Sequence, residues 1–207
     1  MSAGGPRRLV LASRSPRRRE LLGRAGVEHE AIETGVDDGV LERGGVSPEV
    51  WVAALAYLKA MAGLSAASAG SLVLGADTVC EVDGRLLGQP ADEAEALAML
   101  RAMSDREHGV LTGVALVWDE GGATRRDVFV DRARVRVGAL SEASLAEYVA
   151  SGLWRGKAGA YNLSERLEAG WPIEYAGDAG TIMGLPMERL AARLRGLGVP
   201  GRYDSES

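Results

Sequence analysis

A short stretch near the start of the chain, Leu9–Leu22, most constrains how this sequence can fold. The apolar run Leu9–Ala12 predicts a short buried strand, since a brief apolar run bounded by turn residues is typical of a strand in a sheet core. Ser15-Pro16 then predicts the start of a helix, because serine can accept a hydrogen bond from an unpaired backbone N–H and proline fits the first helical position. A strand that leads directly into a helix is typical of an α/β protein.

Three arginines follow the proline, at the end of the helix where positive charge is least favourable. Arg17, Arg18 and Arg19 lie where the helix dipole is already positive, so each costs roughly a few tenths of a kcal/mol unless an anion lies between them. Serines, arginines and the backbone N–H groups of a helix start together are typical of a phosphate site. The other interpretation is a solvated basic face that continues Arg7 and Arg8, and composition alone favours neither.

Length and composition narrow the class of protein. The 207 residues are 46% hydrophobic, which suits one large domain or two lobes around a shared cleft. The net charge of −5 argues against a general nucleic-acid binder, and aromatic residues at 5% leave few stacking surfaces for an RNA-binding module. The single cysteine, Cys80, excludes an internal disulfide and a multi-thiolate metal site. The histidines, His29 and His108, are too few to favour a histidine-based zinc site.

Neither a leader nor a membrane segment is expected. The first eight residues lack the apolar core of a signal peptide. The apolar stretch Ala60–Ala76 is interrupted by serines and glycines, which argues against a membrane span. We therefore expect a cytoplasmic protein, with a loose tail over residues 200–207.

Acidic residues at two places are candidates for metal or proton chemistry. Asp37 and Asp38 are adjacent in a predicted turn, where such pairs usually bind their own backbone or face water. They could instead hold Mg²⁺, an ion that takes a few carboxylate oxygens and keeps several waters. Asp77 follows the apolar run Leu72–Leu74, and the end of a strand is a usual place for functional groups in an α/β protein, although a turn-forming role is the alternative.

Ser47-Pro48 opens the clearest helix, which should run to about Ala67. Its predicted buried stripe consists of Trp51, Leu55 and Leu58. Lys59 falls outside that stripe, so the spacing alone predicts a surface lysine. A further helix should begin at Asp92, and a tight hairpin at Asp83-Gly84.

The second half of the chain argues against a purely parallel sheet. Glu107–Trp118 and Arg125–Val137 read as long strands joined by a short Gly-rich turn, which predicts an antiparallel pair. No Gly-x-Gly-x-x-Gly follows Leu11, so a dinucleotide-binding Rossmann fold is not indicated. Ser141 should cap another helix, and a last helix should follow Pro186.

Several segments together resemble the Maf family of nucleoside triphosphate pyrophosphatases. They are Ala12–Leu22, Gly75–Thr78, Lys157–Tyr161 and Gly184–Met187. The resemblance covers nearly the whole chain and implies a Maf/Ham1-like α/β fold, an elongated mixed twisted sheet flanked by helices, with two lobes around a central cleft. It also implies hydrolysis of the bond between the α and β phosphates of a nucleoside triphosphate, and a homodimer.

The resemblance assigns roles to individual residues. Asp77 would be the general base or a metal ligand, and Asp37 and Asp38 would help to hold Mg²⁺ or Mn²⁺, with the roles of Asp77 and Asp38 open to exchange. The expected phosphate ligands are Ser13, Arg14, Arg17, Lys59 and Lys157. The residues expected near the base are Thr78 and Ser164.

Two departures from the family pattern affect the functional prediction. Gln89 stands where the family usually has lysine, which removes an expected positive charge and motivates the alternative of a non-catalytic, nucleotide-binding regulator of cell division. Ser164 stands where the dTTP/UTP-preferring branch has glutamine and the 7-methyl-GTP branch has glutamate. Since Arg17 and Thr78 resemble the dTTP/UTP branch, we expect a pyrimidine or non-standard nucleotide, with 7-methyl-GTP as the alternative.

Overall fold

The strands form one mixed sheet in the computed structural model, which describes residues 7–36 and 44–203. Their bounds are β1 Leu9–Ala12, β2 His29–Ile32, β3 Leu72–Val82, β4 Arg85–Leu87, β5 Arg106–Glu120, β6 Ala123–Val137 and β7 Ile173–Ala176. The sheet order is β2-β1-β3-β5-β6-β7, with β4 on β3. Strand β1 pairs in parallel with β2 and β3, whereas β4 and β7 pair antiparallel with β3 and β6, so the predicted mixed sheet is confirmed.

Helices connect and cover these strands. Their bounds are α1 Pro16–Arg24, α2 Pro48–Ala66, α3 Glu93–Met103, α4 Glu142–Ala150, α5 Leu163–Glu168, α6 Ala179–Met183 and α7 Met187–Gly196. The predicted serine caps of α2 and α4 and the aspartate cap of α3 each accept a backbone N–H, from Val50, Ser144 and Glu95. The short elements α5, α6 and β7 were not predicted from the sequence.

The chain divides into two compact units. The first comprises the chain up to Asp77, Thr112–Val130 and the chain from Gly184 onward. The second comprises Thr78–Leu111 and Asp131–Met183. The central cleft expected from the resemblance stays a prediction.

Both faces of the sheet are covered in the first unit, because successive strand residues point to opposite sides. One face carries Leu9, Leu11, Leu72 and Leu74, packed with Leu22 of α1 and with Leu190 and Leu194 of α7. The other face carries Val10, Ala12 and Val73, packed with Ala56 and Ala60 of α2. The apolar runs at the start of β1 and β3 are therefore buried on both sides, as the sequence predicted.

Helix α2 lies unusually close to the sheet because glycines face it. A Cβ built on Gly75 would lie 2.3 Å from the carbonyl oxygen of Ala56, and one on Gly113 would lie 2.4 Å from that of Val52. Only small or slender side chains fit beneath the helix, so its inward face is Val52, Leu55, Ala56, Ala60 and Gly63. The predicted stripe was wrong in two members, since Trp51 and Leu58 are only half-buried.

By length and composition α2 could cross a membrane. Its inward face, however, is packed against strands of the first unit.

The second unit has its own apolar core. Helices α3 and α4 pack together there, and the predicted Met and Leu stripe of α3 is buried at Met99, Leu100 and Met103. Trp154 is 1% exposed and donates through Nε1 to the carbonyl oxygen of Val149, so the chain after α4 is fixed to that helix. At the end of the first unit the N–H of Arg202 donates to the carbonyl oxygen of Ala25, so the predicted loose tail is attached at this residue.

Candidate functional site

A buried ion pair between Lys59 and Asp77 is the centre of the candidate site in the first unit. Lys59 Nζ donates to Asp77 Oδ1 at 2.6 Å, and the side chains are 12% and 6% exposed. Asp77 is two residues beyond Gly75 in β3, so it faces α2, and Lys59 adjoins Ala60 at the point where α2 contacts Gly75. The close approach of helix and sheet therefore brings the two charges together.

The positions of both charged residues correct the sequence analysis. Asp77 does not end its strand, because β3 continues to Val82 and its last residues pair with β4. Lys59 is not a surface lysine, because the small residues beside it let α2 turn this part of its surface toward the sheet. The apolar spacing could not show this, since alanine and glycine mark an inward face only when the opposing strand also has glycine.

Arg18 is the buried arginine of the Arg17–Arg19 group. Its guanidinium donates to Ser13 Oγ at 3.1 Å, to the carbonyl oxygen of Ala76 at 2.8 Å and to that of Gly184 at 2.9 Å. The acceptors belong to the turn after β1, to the residue before Asp77 and to the loop before α7. Arg18 therefore fixes Ser13 beside the backbone that carries Asp77.

The start of α1 differs from the prediction in its capping. Ser15 occupies the cap position, but its side chain forms no capping hydrogen bond, and the first turn holds no acidic residue. Ser13 Oγ instead accepts the N–H of Ser15 at 3.2 Å. Arg14 and Arg19 are exposed, and Arg17 is half-buried. Arg18 is therefore buried and holds backbone segments together, whereas Arg14 and Arg19 are exposed to solvent.

In the second unit Lys157 is bound by an acid that the sequence analysis did not assign. Its ammonium contacts the carboxylate of Glu165, and the lysine side chain is 8% exposed. Asn162 caps α5 by accepting the N–H of Glu165 at 3.1 Å, and it also accepts the hydroxyl of Ser164 at 2.8 Å. Lys157 and Ser164 therefore both contact residues at the start of α5, through Glu165 and Asn162 respectively.

The loop between Lys157 and Asn162 is tightly fixed. Gly159 has φ of +65°, and a Cβ there would lie 2.6 Å from Cys80 Sγ, so glycine is required. Its N–H donates to the carbonyl oxygen of Gly88 at 2.9 Å, directly before Gln89, which is exposed. Tyr148 Oη donates to the carbonyl oxygen of Ala160 at 3.0 Å. The loop is therefore held in place by contacts within the second unit.

His108 contacts the same loop through Tyr161. Its Nε2 lies 2.9 Å from Tyr161 Oη, and the rings meet edge to face at 5.7 Å. Burial lowers the pKa of His108 to about 4, and burial also raises the pKa of Tyr161 well above its ordinary value. His108 is therefore a neutral packing and hydrogen-bonding residue.

The remaining predicted residues fall in different places. Thr78 follows Asp77 on β3 and belongs to the second unit. Asp37 and Asp38 lie outside the described residues. Over residues 7–36 and 44–203, no group of three histidine, cysteine or acidic side chains is arranged to hold a metal ion. The structure thus joins Ser13, Asp77 and Lys59 within the first unit, and Lys157 and Ser164 within the second.

Two residues that the sequence analysis did not assign, Arg18 and Glu165, differ in whether the sequence could have revealed them. Arg18 is four residues before the buried Leu22, a spacing that places both on one helix face, so its burial could have been predicted. Glu165 is eight residues from Lys157 across an irregular loop, and no periodicity indicates that pair.

A family model described as Maf-like protein matches residues 8–197 of this chain. The chain belongs to the Maf-like protein family. A dTTP/UTP pyrophosphatase of Pelotomaculum thermopropionicum is 40% identical over 190 residues, covering 92% of this chain and 96% of that protein. One of Bordetella parapertussis is 42% identical over 203 residues, covering 95% and 96%. One of Geobacillus sp. is 38% identical over 192 residues, covering 93% and 99%.

A solved structure of a nucleoside-triphosphatase / dITP/XTP pyrophosphatase from Mycobacterium abscessus is also similar. It is 22% identical, with a TM-score of 0.39, and the match covers 63% of this chain and 74% of that one. A likeness of this degree carries no argument about fold or function.

Replacing Arg18 should destabilise the protein far more than replacing its neighbour. In Arg18→Met the acceptors on Ser13, Ala76 and Gly184 lose their donor, and we expect the free energy of unfolding to fall by about 2–4 kcal/mol. Arg19→Met, at an exposed position of the same helix, should change it by less than about 0.5 kcal/mol. Urea unfolding followed by circular dichroism measures both, and equal effects would contradict the bracing role of Arg18.

Burial of neutral His108 should make stability depend on acid pH. The unfolded chain takes up a proton near pH 6.5 and the folded chain only near pH 4, so the free energy of unfolding should fall by about 3 kcal/mol between these values from this residue. In His108→Gln, which keeps a partner for Tyr161, that part of the slope should disappear. Urea midpoints measured from pH 7 downward provide the test, and an unchanged slope in the variant would refute it.

Proposed function

We propose that this chain is a nucleoside triphosphate pyrophosphatase that converts pyrimidine nucleotides of the dTTP/UTP type to the monophosphate and pyrophosphate. The relatives that cover more than nine-tenths of the chain are named for this activity. The structural observation that carries the chemistry is the buried pair of Lys59 and Asp77, an acid and a cation fixed beside the Ser13 turn.

Asp77 is the base in this proposal. The contact with Lys59 holds the Asp77 side chain in place, and a carboxylate in its ionised form can accept a proton. As the oxygen of a water bonds to phosphorus at one side of the α–β bridge, its proton passes to Asp77. The P–O bond on that side of the bridging oxygen breaks, leaving monophosphate and pyrophosphate.

Positive groups of the first unit bind the phosphates. A triphosphate carries about four negative charges, which preorganised cations must offset. Arg14 and Arg17 lie at the start of α1, where the helix dipole adds to their attraction for an anion. Ser13, held by Arg18, can offer its hydroxyl at the same turn. Lys59 lies beside the proposed proton acceptor and is the remaining cation proposed to bind a phosphate oxygen.

We propose Mg²⁺ or Mn²⁺ as the cofactor. The carboxylate of Asp77 is a hard oxygen donor suited to either ion, and Mg²⁺ commonly takes one or two carboxylates and completes its shell with substrate phosphates and water. Such an ion would offset phosphate charge and polarise phosphorus. Asp37 and Asp38 remain predicted ligands.

The second candidate function is nucleotide binding without turnover. It is favoured by Gln89, an exposed neutral residue where the family usually has lysine. A homodimer and a cytoplasmic location, both expected from the sequence, remain predictions.

Asp77→Asn should bind nucleotide but lose turnover by about 10²–10⁴-fold, because the amide cannot accept the proton. The measurement is anion-exchange separation of products from dTTP, UTP, 7-methyl-GTP and the standard triphosphates, with and without Mg²⁺. Asp83→Asn, an exposed aspartate in the β3–β4 turn, is the matched control and should keep full activity.

The same panel separates the alternatives. If the wild-type protein binds nucleotide and leaves it intact, its function is that of the non-catalytic regulator. Preference for 7-methyl-GTP would replace the pyrimidine assignment, and full activity of the Asp77 variant would remove Asp77 from the mechanism.

Glu165→Gln should lower the KM for the nucleotide by about two- to tenfold if Lys157 is a phosphate ligand. The glutamate holds the lysine in the substrate-free protein, so a phosphate must displace or share a charged partner, and a neutral amide competes less. Glu168→Gln, on the exposed end of the same helix, should leave KM unchanged. A higher KM with lower kcat in Glu165→Gln would instead show that the pair only supports the loop.

A further inference from the structure

A groove of about 490 Å³ opens in the second unit, and none of the predicted site residues lines it. Its walls come from the β6–α4 connection, one side of α4, the end of α5 and Trp171-Pro172. Its volume lies in the range of small-molecule sites, roughly 300–1,000 Å³.

A buried arginine without an acidic partner lines this groove. Arg166 is 9% exposed, and its guanidinium carbon lies 4.4 Å from the ring centre of Tyr148 and 5.4 Å from that of Trp171. Its Nε is buried with no hydrogen-bond partner, and no carboxylate in the described part of the chain lies within ion-pair distance of it. In contrast, Arg101 and Arg132 of the same unit pair with Glu142 and Glu81.

The charge of Arg166 is only partly compensated by its surroundings. Burying a cation without a counter-ion is unfavourable, and the contact of the guanidinium with the two aromatic rings offsets only part of that cost. A guanidinium that lines the groove and has no carboxylate partner in the described part of the chain is suited to fork-like binding of an oxyanion through its terminal nitrogens.

The rest of the groove has one apolar wall and another wall that carries hydroxyl groups. Leu140, Leu153 and Pro172 line it, and Leu153 is 48% exposed. Ser141 and Ser144 bring hydroxyls at the start of α4, bonded to each other at 2.9 Å. Glu147 also lines the groove, and this exposed carboxylate disfavours an anion that carries several charges. These walls suit a small organic molecule better than a bare inorganic ion.

We propose that this groove binds a small organic anion, whose oxyanion group binds Arg166 and whose apolar body lies on Leu140, Leu153 and Pro172. The inference does not depend on the proposed catalytic function. A carboxylate and a phosphate monoester share the required chemistry, so the experiment has to separate them.

Calorimetric titration of the full-length protein with matched probes tests the proposal. Benzoate and phenyl phosphate carry the same ring with different oxyanions, and benzamide is the neutral equivalent of benzoate. We expect at least one anion to bind at millimolar concentration and benzamide to bind at least about tenfold more weakly. The stronger of the two anions identifies the oxyanion class.

Variants connect binding to the groove. Arg166→Met keeps an unbranched apolar side chain beside the rings but removes the charge, so it should reduce affinity by at least about tenfold, and Arg166→Lys should retain part of it. Arg106→Met, which removes an exposed arginine of the same unit, should leave binding unchanged, and Glu147→Gln should strengthen it. Circular dichroism confirms that each variant is folded. Absence of binding by both anions, equal binding of benzamide, or unchanged affinity in folded Arg166→Met would overturn the proposal.

Discussion

The buried contact between Lys59 and Asp77 depends on how closely α2 can approach the sheet. With a side chain at Gly75 or Gly113, the backbone of α2 would have to move outward, since a Cβ at either position would lie within 2.5 Å of a helix carbonyl oxygen. An outward shift of even about 1 Å would open a charge pair whose atoms are 2.6 Å apart, and would leave two charges in a poorly hydrated place. The glycines in the strands therefore determine the electrostatics of the site although they contribute no functional group.

Two buried cations of the first unit, Arg18 and Lys59, contact different kinds of group. Arg18 donates to neutral oxygens of Ser13, Ala76 and Gly184, so these contacts fix the turn after β1 beside the backbone that precedes Asp77. Lys59 is bound by the carboxylate of Asp77, so these two opposite charges offset each other within one buried contact. One cation therefore holds backbone segments together, and the other holds a carboxylate in place.

The sequence predicted the parts of the fold that depend on residues close together in the chain. The start of α2 at Ser47-Pro48, the cap of α3 at Asp92 and the hairpin at Asp83-Gly84 are each determined by neighbouring residues, and each is found. The position of Lys59 was not predictable in that way, because it depends on glycines far away in the chain. The contact of Glu165 with Lys157 likewise crosses a loop whose shape depends on the fit of Gly159 against Cys80. Motif resemblance named Lys59 and Lys157 as phosphate ligands but could not show that each already has an acidic neighbour.

That pairing has a consequence for how a phosphate ligand would be selected. An unpaired buried lysine would attract any anion, whereas a lysine already bound to a carboxylate gains only the difference between its old and new partners. A simple anion such as inorganic phosphate offers little beyond what Asp77 or Glu165 already provides. A ligand with several charged groups can make contacts beyond a single lysine, and those contacts can offset what the acidic partner of that lysine already provides. The acidic partners of Lys59 and Lys157 would therefore disfavour a ligand whose only contact is one lysine.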